Sequence, residues 1–361
     1  MQATSKLHQC GQSLWLDNIT RDMLNNGTLQ RYINDLSVTG LTSNPTIFDQ
    51  AIRKSTEYDA DIAAKAPSAR SKEDLFFALA LADLTSAADL FQPAFKRTDG
   101  VDGWVSLEVS PLLVHDTGRT LAAARDLHKR SGKPNLFIKI PGTKEGLPAI
   151  EEAIFAGVPV NVTLLFSREQ YLAAADAYLR GAERRVAAGL NPAVASVASL
   201  FISRWDVAVK DKAPAALKNR LGVAIGQRTY AAYRMLLDSA RMQRLLNEGA
   251  RPQRLLWAST GTKDPGASDV LYIEALAAPY TVNTMPEGTL KAFADHGNAG
   301  APMSWDVGEC ESLLADFARA GIDDGVLAAR LQDEGAESFT KSWTELMDCI
   351  EGKSTAIRKA S

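Results

Sequence analysis

A lysine set among apolar residues, Phe137-Ile138-Lys139-Ile140, is the first feature of this chain that invites chemistry. Side chains alternate across a strand, so an extended run Asn135–Pro141 sends Leu136, Ile138 and Ile140 one way and Phe137, Lys139 and Pro141 the other. In Trp104–Ser110 the same alternation separates Val105, Leu107 and Val109 from Ser106, Glu108 and Ser110. Val158–Phe166 divides into Val160, Val162 and Leu164 against Asn161 and Thr163, while Leu14–Ile19 puts Asp17 on the face of Trp15 and Val38–Asn44 puts Thr42 and Asn44 in phase. An amine held among apolar walls loses hydration, which favours the free base that attacks a carbonyl. The chemistry implied is imine formation at Lys139, which needs no metal.

Taken singly, each residue has a plainer reading. A strand lysine often snorkels to water, Asp17 could cap or pair, Glu108 could be an ion-pair partner, and Asn44 before Pro45 could simply start a helix with proline in its first turn. Their joint occurrence on the inward faces of different strands outweighs these readings. Burying so many polar groups is costly unless they satisfy one another or a ligand.

The elements that must position them are short apolar or alternating runs at 14–19, 38–44, 104–110, 135–141, 158–166, 194–203, 254–260 and 280–285, with helical-period segments between them. Strand then helix, eight times, predicts a parallel (β/α)8 TIM-type barrel with extra helices in the long gaps 44–104 and 203–254. The polar residues fall toward the C-terminal ends of their runs, where barrels of this type assemble active sites. After about Pro302 there is no strand pattern, only amphipathic pieces at 310–319, 325–332 and 338–350. The expected organisation is therefore a catalytic barrel over 1–302 and a helical C-terminal extension over 303–361 packed on it, with a polar tail at 352–361 that frays. A doubly wound sheet is the structural alternative, but no strand is followed by GxGxxG or GxxxxGK[ST], which argues against dinucleotide and NTP binding.

Composition narrows the partners. Forty Lys and Arg against 43 Asp and Glu give a net charge of −3, too balanced for a nucleic-acid or anionic-membrane binder. Any anion bound is expected to be small. Arg241, Arg244, Arg251 and Arg254 interleave with apolar residues and read as a solvated helix end. Cys10, Cys310 and Cys349 form no CxxC pair, and four scattered histidines form no HExxH or HxH spacing, so no metal site, no cofactor and no disulfide framework is expected. Neither a signal peptide nor a membrane span is expected, and the reading is a cytoplasmic protein.

The runs also resemble the transaldolase family, specifically its longer subfamily found as a stand-alone chain or fused to glucose-6-phosphate isomerase. The matching segments are LWLDNI at 14–19, VTGLTSNPTIF at 38–48, VSLEVSP at 105–111, FIKIPGT at 137–143, NVTLLFS at 161–167, SLFISRWD at 199–206, LLWASTGTKDP at 255–265 and TVNTMP at 281–286. The resemblance implies a barrel with its Schiff-base lysine on the fourth strand, where the fourth run carries Lys139. It implies transfer of a dihydroxyacetone unit from fructose 6-phosphate or sedoheptulose 7-phosphate to an aldose phosphate. On that likeness Lys139 is the nucleophile, Asp17 the acid/base at the C4 hydroxyl, and Glu108 with Thr163 the pair that positions a water. Asn44, Asn161 and Ser199 would hold the dihydroxyacetone hydroxyls, Phe201 would wall the site, and Arg204 and Ser259 would take phosphate. The family pattern has a second arginine two residues beyond that serine; here the position is Gly261, and Lys263 is offered as the substitute.

Two competing readings follow. A Schiff-base sugar-phosphate aldolase would share Lys139 and release dihydroxyacetone. A non-catalytic sugar-phosphate-binding barrel would require Lys139 and Asp17 to pair with each other or to face away from the cavity. Oligomeric state is left open between monomer and homodimer.

Overall fold

The computed structural model describes residues 2–360. Eight parallel strands close into a barrel in sequence order: β1 (Ser13–Asp17), β2 (Val38–Thr42), β3 (Trp104–Glu108), β4 (Leu136–Pro141), β5 (Val160–Leu165), β6 (Ser196–Phe201), β7 (Arg254–Ala258) and β8 (Val282–Met285). This is the expected (β/α)8 architecture with additional helices. The long gaps hold them: helices at Pro45–Lys54, Asp59–Lys65 and Lys72–Arg97 separate β2 from β3, and helices at Ser203–Val209, Leu221–Leu237 and Ala240–Asn247 separate β6 from β7. Every strand is shorter than its apolar run. The excess residues, such as Ser43-Asn44, leave the ladder and begin the loops that carry side chains to the mouth.

The interior is filled from below by aromatic rings. Trp104 stacks on Phe137 with centroids 4.0 Å apart, and Trp15 lies 6.1 Å from Phe137. Gly40 on β2 makes room for them: a Cβ there would meet the Trp104 carbonyl oxygen and the Trp15 ring, each at 2.7 Å. The Trp15 indole donates to Asp102 at 2.9 Å, which satisfies its one polar group in the core. This plug separates the lower end of the barrel from the polar residues above it. Register then sets those residues level, because Glu108 pairs with Lys139 across β3 and β4, and Lys139 with Asn161 across β4 and β5.

Helix Gly308–Arg319 and a single helix over Asp324–Ala360 form the C-terminal part. Two expectations are corrected here. The separate pieces at 325–332 and 338–350 are one continuous helix, and the tail from Gly352 continues it as far as Ala360 instead of fraying. Asp333, Glu334 and Gly335, which lie between those two pieces, are inside the helix, and Gly335 is packed: a Cβ there would lie 2.9 Å from Leu164. Trp343, Leu346 and Ile350 are buried, with Trp343 edge-on to Phe76, and Lys353 bonds Asp59 at 2.9 Å, which holds the last turns down. No helix among the described residues is long and apolar enough to cross a membrane. Cys10, Cys310 and Cys349 are free thiols.

The plug is tight enough to test. Gly40→Ala is expected to lower stability by about 1–3 kcal/mol, the usual cost of overpacking. Urea unfolding should show an earlier midpoint at unchanged slope.

Candidate active site

Lys139 stands above the aromatic plug on β4, only 6% exposed. Its Nζ donates to Glu108 Oε2 at 3.1 Å and to the Ser43 carbonyl at 3.1 Å. The second contact depends on local turn chemistry after β2. Asn44 caps the helix Pro45–Lys54 by accepting from the Ile47 N–H at 3.0 Å, with Pro45 in the first turn, and Ser43 donates its hydroxyl to the Ser106 carbonyl at 2.8 Å. Those bonds fix the Ser43 carbonyl toward the amine. Asn44 therefore does both things the sequence suggested: it starts a helix and it lines the cavity.

Asp17, at the end of β1, makes no ion pair with Lys139 among the described residues. Its carboxylate accepts from Thr42 at 2.8 Å, and Thr42 in turn lies 2.7 Å from the Thr284 hydroxyl. Burial raises the Asp17 carboxyl above its ordinary range, opposed by the nearby charge of Lys139 and by the Thr42 bond. Glu108 is raised in the same way by burial, against the charge and hydrogen bond of Lys139. Both groups are thus shifted in the direction that makes a carboxylate a better proton acceptor.

Deeper in the barrel, Asn161 is clamped between Ser199, which donates to its Oδ1 at 2.7 Å, and Ser106, which accepts from its Nδ2 at 3.2 Å. Two buried oxygens, Glu108 Oε1 and Thr163 Oγ1, have no hydrogen-bond partner among the described residues. Buried polar atoms of this kind require a partner from water or ligand. β5 is irregular here: Leu164 has φ 59°, in the left-handed region, and the β5–β6 register shifts between Val162 and Leu165. A branched side chain in that conformation marks local strain at the site.

Cationic residues gather on one side of the mouth. Arg204 follows β6 and Ser259 follows β7; the two loops are tied by the Ser203 N–H donating to the Ser259 carbonyl at 3.0 Å and by the Ser203 and Ser259 hydroxyls 2.9 Å apart. Ser259 itself has φ 56°. Arg204 is half-buried with no carboxylate in salt-bridge range among the described residues, and burial lowers its guanidinium pKa, with the charge of Glu334 opposing. A partly desolvated, unpaired guanidinium is poised for an anion.

One pocket of about 250 Å³ is lined by Asp17, Asn44, Lys139, Thr163, Ser199, Phe201, Arg204, Ser259 and Lys263. Glu108 and Asn161 lie beneath its floor, reached through Lys139 and Ser199. All the residues singled out in the sequence converge on it. Sequence reasoning missed Thr284 on β8 and Ser338 and Phe339 on the C-terminal helix, which also line the pocket. Thr284 was findable, since alternation in the last run puts it in phase with the inward set; Phe339 had no local signal. The arginines Arg241 and Arg251, set aside as a solvated helix end, pair with Glu183 and Asp99.

The fold and the pocket define a class: a (β/α)8 barrel with a carboxylate-paired lysine at its C-terminal mouth and a cationic rim. Comparison with known proteins narrows it. Residues 14–350 match the family model described as Transaldolase/Fructose-6-phosphate aldolase. The chain is 44% identical over 351 residues to the transaldolase of Saccharopolyspora erythraea, covering 95% of each chain, and 43% identical over 363 residues to that of Mycolicibacterium smegmatis, covering 98% of each. It is 40% identical over 368 residues to Transaldolase 2 of Nostoc punctiforme, covering 96% of each. The chain belongs to the transaldolase/fructose-6-phosphate aldolase family.

The raised Asp17 carboxyl has a consequence for stability. A carboxyl that holds its proton more tightly when folded stabilises the fold below its ordinary value of 3.8, and that contribution is lost as pH rises through the higher folded value. Asp17→Asn escapes the loss. As pH rises from about 4 to about 8, unfolding free energies should move progressively in favour of the variant over the unsubstituted protein.

Proposed function

We propose that this protein is a transaldolase that carries a dihydroxyacetone unit from sedoheptulose 7-phosphate or fructose 6-phosphate to erythrose 4-phosphate or glyceraldehyde 3-phosphate, in the non-oxidative pentose phosphate pathway. The observation that carries the reading is Lys139, buried and bonded to Glu108, opening into a pocket rimmed by the unpaired Arg204. The relatives' names support transfer, and the family description covers aldol release as well.

In this reading the free amine of Lys139 attacks the C2 ketone, with its proton passing to Glu108. Glu108 and Thr163 hold a water through their two unpartnered oxygens, and that water relays protons as the carbinolamine loses hydroxide and becomes the protonated imine. Asp17 takes the C4 hydroxyl proton, the C3–C4 electron pair flows into the imine, and an aldose phosphate leaves. A three-carbon enamine remains on Lys139. The acceptor aldehyde then binds, the enamine carbon forms a new C–C bond, and Asp17 returns its proton to the new hydroxyl. Hydrolysis of the imine releases the product ketose phosphate and restores the amine.

Asn44, through its amide N–H groups, and Asn161 with Ser199 hold the hydroxyls of the three-carbon unit, while Phe201 gives an apolar wall. Arg204, Ser259 and Lys263 take the phosphate of donor and acceptor. The lysine brings a compact charge and no bidentate fork, so Arg204 carries most of the directional recognition. The reading places the reaction in the cytoplasm, with Cys10, Cys310 and Cys349 kept as thiols. The binding-barrel alternative required Lys139 and Asp17 to pair or to turn from the cavity; both line it, and Lys139 bonds Glu108 instead.

Acceptor dependence separates transfer from aldol release. With fructose 6-phosphate alone little product should form, and adding erythrose 4-phosphate should produce sedoheptulose 7-phosphate and glyceraldehyde 3-phosphate in equal amounts. Dihydroxyacetone release that ignores the acceptor would favour the aldolase. Arg204→Ala should lower kcat/KM for the phosphorylated donor by about 10- to 100-fold, the worth of a charge-assisted bond. Steady-state rates in the presence of saturating acceptor check it.

A further inference from the structure

The C-terminal helix Asp324–Ala360 crosses the mouth of the barrel. Gln332 donates its amide to the carbonyls of Gly142 at 3.2 Å and Leu164 at 2.8 Å, at the C-terminal ends of β4 and β5. One turn on, Gly335 lets the helix backbone rest on Leu164, which a Cβ would meet at 2.9 Å. A further turn on, Phe339 enters the pocket. Its ring centroid is 6.0 Å from Lys139 Nζ and 6.5 Å from the ring of Phe201, and the residue is 9% exposed. The amine therefore has Glu108 as its hydrogen-bond partner and the Phe339 ring beside it, with Phe201 next to that ring. Phe201 ends β6, whereas Phe339 belongs to the C-terminal helix, outside the eight strands.

We infer that Phe339, held in place by Gln332 and Gly335, is a specificity-determining residue that decides the fate of the three-carbon enamine. This rests on the transfer reading. The enamine carbon has two outcomes. It can bond to the carbonyl carbon of the acceptor, whose oxygen takes the proton held by Asp17, or it can take a proton from solvent water. After protonation, addition of water to the imine carbon breaks the C–N bond, releasing dihydroxyacetone and the free lysine. Both outcomes need the same Lys139, but only the second needs water while the enamine stands, so an apolar cover at the mouth suppresses it and leaves C–C bond formation with the acceptor open. The ring also offers its negative face to the imine cation that precedes and follows the enamine.

The test uses the full-length protein and the variants Phe339→Ala, Phe339→Leu and Gln332→Met. Each is incubated with fructose 6-phosphate and erythrose 4-phosphate; sedoheptulose 7-phosphate and free dihydroxyacetone are quantified, and the borohydride-reduced adduct on Lys139 is weighed. Phe339→Ala should lower the ratio of transfer to release by about fivefold or more while retaining the adduct. Phe339→Leu, still apolar, should restore most of the ratio, and Gln332→Met should lower it by loosening the helix. A ratio within about twofold of the unsubstituted protein in both Phe339→Ala and Gln332→Met overturns the inference, as does a fall of transfer and release by the same factor. Should Phe339→Ala fail to fold, Phe339→Leu and Gln332→Met decide it on the same ratio. Failure of the parent reading shows separately, as an unsubstituted protein with no acceptor-dependent product.

Discussion

The buried pair of Lys139 and Glu108 is the constraint on which the rest of the barrel depends. Withdrawing an ammonium and a carboxylate from water costs several kcal/mol for each, and their attraction repays this only with good geometry and further hydrogen bonds. The structure supplies both: adjacent register on β3 and β4, a 3.1 Å contact, and the Ser43 carbonyl as a second acceptor. As a source of stability such a pair is poor, and an apolar pair would serve the fold as well. In the transfer mechanism proposed above, its value is in proton traffic. Burial raises the Glu108 carboxyl, which narrows the gap between its proton affinity and that of an amine and lets one proton move between them.

Everything around the pair follows from keeping it dry on one side and reachable on the other. Trp15, Trp104 and Phe137 close the barrel below, and Gly40 exists to admit them. Above, the mouth divides by chemistry. Asp17, Thr42 and Thr284 form a hydrogen-bonded carboxyl and hydroxyl cluster, Arg204 and Lys263 with Ser259 form a cationic side, and Phe201 and Phe339 line the pocket as an aromatic pair. Strain is spent at the same place. Leu164 and Ser259 both adopt left-handed backbone, one beside Thr163 and under the C-terminal helix, the other on the cationic side.

Much of this was legible in the sequence because strand alternation is a strict rule. It put Glu108, Lys139, Asn161 and Thr163 inward without reference to any relative, and counting runs was enough to close the barrel at eight strands. What alternation cannot show is a contact made by backbone or by a distant helix. The Ser43 carbonyl was hidden because the sequence names side chains, and Phe339 was hidden because its partners Lys139 and Phe201 lie far away along the chain. The helix Asp324–Ala360 was read as separate amphipathic pieces, because periodicity alone does not show what holds the residues between them. Glycine inside a helix is unfavourable, and the close approach to Leu164 accounts for Gly335 there.

Capture of the imine tests the account most directly. The folded protein is incubated with fructose 6-phosphate, reduced with borohydride, weighed intact and mapped by peptide. A three-carbon adduct located on Lys139 is the result the account predicts, because it records imine formation and C3–C4 cleavage in one species. An adduct confined to another lysine, or none at all from folded protein, would contradict a mechanism centred on the Lys139–Glu108 pair.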